Sequence, residues 1–360
     1  MTIKTRIAAI AKDEGAYLTQ WVFHHFYFGF DSIDIYINRT SDNSRAICDK
    51  LSTFYNLRVQ DGDALVASHG TNLQFAAYEH AYQLARGEGV THLIFLDIDE
   101  FWTPLDFTTK VNEHIERHDN CDVLCYEWAF PSNDRSPFSI PFSERGTLQK
   151  NYHLKCLFDT HIAVDSISVH NVVSHSARYA MADGSPAIFD TTEKATIPID
   201  DTSGPLKEVF ILHRVARSQL EYVSLLGRGR PSVPNKLKSN RWGYIDTSDG
   251  VPFEIPKHRL EAYATGLTEL MRRSGVDHDI KDSKQFVLDR FRSVVLALSS
   301  ASIDDQDAHL ALLWNVTLQS VSEAMDAART GRYVDLECLI DSDLKGVSGT
   351  ATRAATDLPP

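Results

Sequence analysis

Apolar and polar positions alternate in blocks along the first hundred residues. Arg6 to Ala11 is a short apolar run that predicts a strand, broken at Lys12-Asp13-Glu14-Gly15. Tyr17, Leu18, Trp21, Val22, His25 and Phe28 then recur at helical spacing up to Gly29, a residue suited to stopping a helix. Ile33, Ile35 and Ile37 alternate with polar neighbours as a second strand, and Asn38 to Ser44 is a polar turn. A helix is expected over 44–55, a short strand near Leu57–Val59, and a helix over about 71–85 carrying Leu73, Ala76, Ala77, His80, Ala81 and Leu84. Leu93 to Leu96 is a further apolar strand. Strands spaced by helices imply βαβ units and a mostly parallel sheet.

Beyond Phe101 the pattern changes. Cys121–Phe130 and His153–Phe158 read as strands, separated by a polar loop from Pro131 to Arg145. Ile162–Val173 is another strand candidate, 178–205 reads as loop, and Glu208–Leu212 makes a last short strand. Helical periodicity fills about 257–332, and the small, polar end of the chain from about Asp341 reads as a frayed tail. The division expected is 1–245 as one α/β domain (halves 1–101 and 102–245), 246–340 as a helical C-terminal extension, and 341–360 as the tail.

Composition narrows the function classes. The formal charge of −13 argues against general nucleic-acid binding, which calls for a basic footprint. No apolar run reaches the roughly 18–20 residues of a membrane span, although peripheral attachment needs only a surface patch. The start, Met-Thr-Ile-Lys-Thr-Arg, leads into a strand rather than a signal peptide's apolar core. Cys48, Cys121, Cys125, Cys156 and Cys338 are scattered, odd in number and without metal-ligand spacing, as expected of reduced thiols in a cytoplasm. The expected setting is therefore cytoplasmic, or peripheral at the inner face of a membrane.

The chemistry concentrates where the strand Leu93–Leu96 runs into Asp97, Asp99 and Glu100. Open α/β sheets bind ligands at the carboxyl ends of their strands. Carboxylates held this close repel one another unless a cation neutralises them, and a divalent ion such as Mg²⁺ or Mn²⁺ would in turn hold phosphate oxygens. A solvated acidic strand end is the plainer alternative. A phosphohydrolase with an Asp-x-Asp nucleophile is the third, but that pattern wants Thr or Val where Phe101 stands.

Several blocks, in order, resemble the glycosyltransferase family 2-like set and the related family 92 proteins. Lys12-Asp13-Glu14-Gly15-Ala16-Tyr17-Leu18, Trp21, His25 and Gly29-Phe30-Asp31 are similar to the group's opening. Tyr36 to Ser44 resembles its Tyr-Asp-Asn-x-Ser-x-Asp turn. Gln74, Tyr78 and His80 match its helix before the metal strand, and Phe95–Phe101 its Leu-Asp-Ile-Asp-Glu-Phe. Lys155, His170, His213, Arg217-Ser218 and Gly227-Arg228-Gly229 echo its later blocks, over about residues 5–230 in all. Asp13 for Asn, Gln20 for Glu, and Val215 near an expected aromatic are departures.

The resemblance implies a GT-A (Rossmann-like) α/β fold, with a mostly parallel sheet flanked by helices, and transfer of sugar from a nucleoside diphosphate sugar, UDP- or GDP-linked. The acceptor would be a hydroxyl of a carbohydrate or glycolipid, with inversion, in surface or extracellular glycan synthesis. It places Glu14, Asn38, Asp42 and Gln74 with the donor, Asp97 at ribose or metal, and Asp99 and His213 on Mn²⁺ or Mg²⁺. Without the resemblance, Asn38 and Asp42 read as turn-formers and His213 as structural. The segment Gly227–Gly243 carries Arg228, Arg230, Lys236, Lys238 and Arg241 and no acid. Arg228 and Arg230 could clamp a leaving diphosphate, or the segment could be a solvated turn or a patch for anionic lipid. Inversion calls for a general base, for which Glu127, Asp134 and His170 are candidates. Trp128 and Phe130 could form a platform for a sugar ring. Against a transferase stand the phosphohydrolase and a non-catalytic carbohydrate- or metal-binding module on the same fold.

Overall fold

The first apolar run forms strand β1 (Thr5–Ala11), buried along nearly its whole length. In the computed structural model, residues 2–69, 72–131, 136–229, 237–241, 243–244 and 250–345 are described. Helix α1 (Gly15–Tyr27) follows β1 and ends at Phe28, beyond which Gly29 takes φ +91°, a conformation that costs glycine little. Then come β2 (Ser32–Ile37), α2 (Ser44–Leu51), β3 (Leu57–Asp61), α3 (Gly62–His69), α4 (Leu73–Gly87) and β4 (His92–Phe95). Helix α2 stops short of the expected Tyr55. The Ser52 and Thr53 hydroxyls turn back to the Asp49 and Lys50 carbonyls, which competes with further helix.

These strands pair in the order β3-β2-β1-β4, all parallel. The chain thus steps outward from β1 to β2 and β3, then crosses back to place β4 on the other side of β1. With right-handed crossovers, α1 and α4 cover opposite faces of the sheet. On the α4 face, Ala77, Tyr78, Ala81 and Ala85 pack with Ala8, Tyr36 and Phe95 in one core. Ile33 and Ile35 are fully buried, each worth about 1.5–3 kcal/mol.

The second part of the sheet is mixed. After β5 (Glu100–Pro104) and α5 (Val111–Arg117) come β6 (Val123–Pro131), β7 (Arg145–Asp159), β8 (Ser166–Ile167), β9 (Val172–Val173), β10 (Tyr179–Met181) and β11 (Val209–His213). The sheet continues β4-β7-β6-β11-β5, with β7 antiparallel to β4 and β6, and β5 antiparallel to β11. The run 162–173, expected as one strand, is two short strands around a turn in which Ser168 N–H donates to the Asn171 carbonyl at 2.8 Å. The α/β, GT-A-like layer with a Rossmann-like first half is thus present.

The remaining elements are α6 (Gln219–Leu226), β12 (Val251–Glu254), α7 (Lys257–Ser274), α8 (Asp277–Ser299), α9 (Ile303–Leu312) and α10 (Gln319–Thr330). The chain divides into two compact units. One comprises Met1–Pro131, Pro141–Arg214 and Ser248–Ser283; the other comprises Ser132–Ile140, Val215–Thr247 and Lys284–Pro360. The second has its own core, built from α6 residues Leu220, Val223 and Leu226 with Phe291, Val294, Val295 and Leu298 of α8. No described helix is long and apolar enough to cross a membrane.

Candidate active site

The reversal of strand order at β1 and β4 makes their carboxyl ends the point where an open sheet leaves a ligand crevice. Both ends carry the residues singled out by sequence. After β1, Asp13 adopts φ +52°, and after β2, Arg39 adopts φ +44°, a region that Asp and Asn tolerate better than most residues. The two loops brace each other: Ser41 N–H donates to Asp13 Oδ1 at 2.8 Å and Asp13 N–H to Thr40 Oγ1 at 2.9 Å. Asp42 is largely occupied by structure, accepting from Gly15 N–H at 2.7 Å and from the Ser44 N–H and hydroxyl. Burial raises its pKa, against those hydrogen bonds. Asn38 donates its amide to Asp63 at 2.5 Å, Glu14 is buried at the start of α1, and Gln74 donates to the Tyr78 hydroxyl at 3.3 Å.

The loop after β4 is tightly folded. Trp21 Nε1–H reaches the carbonyls of both Asp97 (3.0 Å) and Glu100 (2.8 Å), and Asp97 N–H donates to Glu100 Oε2 at 2.9 Å. The three acids consequently diverge. Glu100 turns inward and is fully buried, and burial pushes its carboxyl up to about 7, with Lys155 only partly offsetting this. Asp97 remains 41% exposed, with Oδ2 at 3.6 Å from Lys155 Nζ. Asp99 Oδ2 lies 3.7 Å from His213 Nε2.

Strand register produces that last contact. β11 runs antiparallel to β5 with His213 opposite Glu100, and Arg214 N–H donates to the Asp99 carbonyl at 2.8 Å. A separation of 3.7 Å is too long for a hydrogen bond. Two donors each about 2.1 Å from a shared ion stand roughly 3 Å apart, so the carboxylate–imidazole pair fits a divalent cation after a small adjustment. Imidazole among the donors suits Mn²⁺ better than Mg²⁺.

Lys155 is the residue whose role the sequence did not disclose. On β7 it is fully buried, 3.2 Å from Glu100 Oε2, and its ammonium donates to the Val169 carbonyl at 3.3 Å. Burial opposes its charge, but Asp97 and Glu100 outweigh that and hold its pKa above the usual lysine range. An intrachain cation therefore already neutralises part of the acidic cluster. Its only signal was its place in the family pattern.

A ring cluster adjoins His213. The β6–β7 register slips by two residues on β7 between the Glu127–Leu154 and Trp128–Asn151 pairs, which releases Tyr152 and His153 from the ladder. Trp128 is then surrounded by His213, His153 and His170, with ring centres 4.3, 5.0 and 5.1 Å away, and Phe130 lies 5.5 Å from His213. His153 escaped sequence reasoning because only the bulge brings it there. His170 shares hydrogen-bonding distance (3.2 Å) between Nδ1 and the Leu154 carbonyl, so Nδ1 carries the proton and Nε2 the lone pair. Burial, then Lys155 and His153, lowers its pKa to about 4.

Glu127 is buried, with Oε2 3.0 Å from Lys150 Nζ and Oε1 accepting from Lys207 N–H at 3.1 Å. Asp134, Arg230 and Lys236 lie outside the described residues, and Arg228 belongs to the second unit. His24 and His25 are packed among Trp21, Phe28 and Phe101.

No family model matches the sequence, and no curated protein matches it either. Many solved structures align with the chain, among them two of S. aureus TarS. That of S. aureus TarS residues 1–349 shares 12% identity at TM-score 0.30, over 92% of this chain and 95% of that one. A second S. aureus TarS structure shares 11% identity at TM-score 0.31, over 92% and 56%. Likeness at that level decides neither fold nor chemistry.

Proposed function

We propose that the chain transfers a sugar from a nucleoside diphosphate sugar to an acceptor hydroxyl, with a divalent cation on Asp99 and His213. The observation that carries this reading is the Asp99–His213 pair at 3.7 Å beside the β1–β4 crossover. The family resemblance of the blocks at 12–18, 36–44 and 95–101 supplies the substrate class. When bound, Mn²⁺ would offset the charge that develops on the departing diphosphate.

The chain's own residues have separable tasks. Asp99 and His213 hold the cation, and half-exposed Asp97 faces ribose or metal. The braced loops at Asp13–Gly15 and Asn38–Asp42 form the rim for the nucleoside, with Glu14 of the first loop beside the second. Among the base candidates we favour His170 on geometry: Nδ1–H is tied to Leu154, which leaves the lone pair on Nε2, although burial makes this imidazole a weak base. Glu127 is already engaged by Lys150. The acceptor, a carbohydrate or glycolipid, would rest on Trp128. The reading places the protein in the cytoplasm or at the inner membrane face.

The test is a thermal-shift screen of nucleoside diphosphates and UDP- and GDP-sugars with and without Mn²⁺, followed by donor hydrolysis. Metal-dependent stabilisation and hydrolysis, both lost in Asp99→Ala, are expected. No stabilisation by any donor in the presence of Mn²⁺ would overturn the proposal. A trapped phosphoryl group on Asp97 would replace it with a phosphohydrolase.

A further inference from the structure

Away from the carboxylate crevice, one other group of metal-type donors converges among the described residues: His114 and His118 at α5, and Glu208 just before β11. The histidines are four residues apart, so one helical turn sets their rings on the same side, with centres 4.9 Å apart. Glu208 arrives through the main chain. Leu105 N–H donates to its carbonyl at 2.8 Å, and the β5–β11 ladder begins at the next residue. One ring nitrogen from each histidine and one Glu208 carboxylate oxygen lie within 4.8 Å of one another.

His114 itself supplies the second, independent observation. It is fully buried, yet neither ring nitrogen has a hydrogen-bond partner. Buried polar groups are almost always paired, and an imidazole with both nitrogens idle is an exception that calls for a ligand. The neighbouring Tyr126 ring, 5.7 Å away, does not relieve it. His118 Nε2 is also buried without a hydrogen-bond partner, 4.0 Å from Glu208 Oε2. Nε2 is the ring nitrogen of His118 turned to Glu208, and the missing side chain at Gly184 leaves room beside Nδ1, which a Cβ there would approach to 3.0 Å.

We propose that His114, His118 and Glu208 form a Zn²⁺ site, separate from the proposed sugar-transfer centre and independent of that reading. Two imidazoles and one carboxylate are a zinc donor set, and Glu208, 52% exposed, leaves room for water as a fourth ligand. Tetrahedral zinc draws its ligands to roughly 3.3 Å from one another, so the His118–Glu208 gap closes by less than about 1 Å. The ion would pin the end of α5 to the start of β11, the strand that carries His213 at its other end. Arg117 opposes it: its guanidinium lies 3.6 Å from Glu208 Oε2 and competes for that carboxylate.

The test uses the full chain carrying Asp99→Asn and His213→Gln, stripped of metal by chelation and titrated calorimetrically with Zn²⁺. One ion per chain is expected. Glu208→Gln and His118→Gln should each weaken binding by more than the about 10–100-fold that losing a supporting hydrogen bond costs a metal site. Arg117→Gln should tighten it. Glu208 is exposed, so its variant keeps the fold, which circular dichroism checks. No uptake of Zn²⁺, or equal uptake in Glu208→Gln, overturns the proposal.

Discussion

Lys155 Nζ lies 3.2 Å from Glu100 Oε2, and neither side chain has any exposed surface. A buried pair of this kind contributes little net stability over an apolar substitute, but removing one partner strands the other charge, at a cost of about 3–5 kcal/mol. Lys155→Met should therefore destabilise the protein by about that much at pH 8. Glu100 titrates near 7, so at pH 6 its carboxyl can take up a proton and the loss should shrink. The double variant Lys155→Met/Glu100→Gln should recover most of the deficit. Urea denaturation at the two pH values reads this directly. An equal loss at both would mean that Glu100 is not the group left stranded.

Glu100 and the buried histidines His24 and His25 set a pH dependence of stability. Burial holds His25 at about 3 and His24 well below its ordinary value, so the unfolded chain binds these protons first as pH falls below about 6.5. Each imidazole then removes about 1.4 kcal/mol per pH unit down to its folded pKa. Glu100 acts in the opposite sense: its folded pKa is above the unfolded one, so between about 7 and 4.5 it stabilises the fold as pH falls. Two groups against one leave a net loss of roughly 1 kcal/mol per unit from these sites between pH 6.5 and 5. Urea midpoints that rise over that range would contradict the assignment.

How much of this was legible beforehand depends on how local each cause is. β1 and β4 were readable because their apolar runs are continuous, β2 because Ile33, Ile35 and Ile37 alternate, and the acids after β4 because they adjoin an apolar run. β5 was not: its apolar residues follow Glu100 without a break, and what makes them a strand is pairing with β11 more than a hundred residues later. Lys155 as counter-ion was hidden for the same reason, since it faces the cluster from a strand that pairs with β4 in antiparallel register. The charge argument called for a divalent metal and could not show that a lysine from a distant strand already supplies positive charge beside the acids. His114 and His118 did leave a signal, the four-residue spacing, whose third member Glu208 only the sheet topology supplies.

Trp128 sits half-buried among His213, His153 and His170, with Phe130 beside it. If it carries the acceptor sugar, Trp128→Ala should act on acceptor KM. A ring contact of about 0.5–1.5 kcal/mol corresponds to a rise of up to about tenfold, with donor hydrolysis little changed. Trp128→Phe should restore most of the affinity. A variant that loses donor hydrolysis and acceptor use equally would place Trp128 in the framework of the metal site instead.

Asp97 and Asp99 are two residues apart yet face different partners, Lys155 at 3.6 Å and, for Asp99, the His213 edge at 3.7 Å. Their neutral variants should therefore differ in kind. Asp99→Asn withdraws a carboxylate donor from the proposed metal pair, so it should abolish Mn²⁺-dependent stabilisation by a nucleoside diphosphate and lower turnover by at least about 100-fold. Asp97→Asn leaves that pair intact, and its effect should appear chiefly in donor affinity while the Mn²⁺ requirement persists. His213→Gln should behave as Asp99→Asn does, and raising Mn²⁺ should partly rescue it, because one carboxylate donor remains. Calorimetric Mn²⁺ titrations of the three variants, with and without nucleoside diphosphate, separate the cases. Equal loss of metal binding in Asp97→Asn and Asp99→Asn would mean that both carboxylates ligate the ion and that Asp97 turns from Lys155 when it binds.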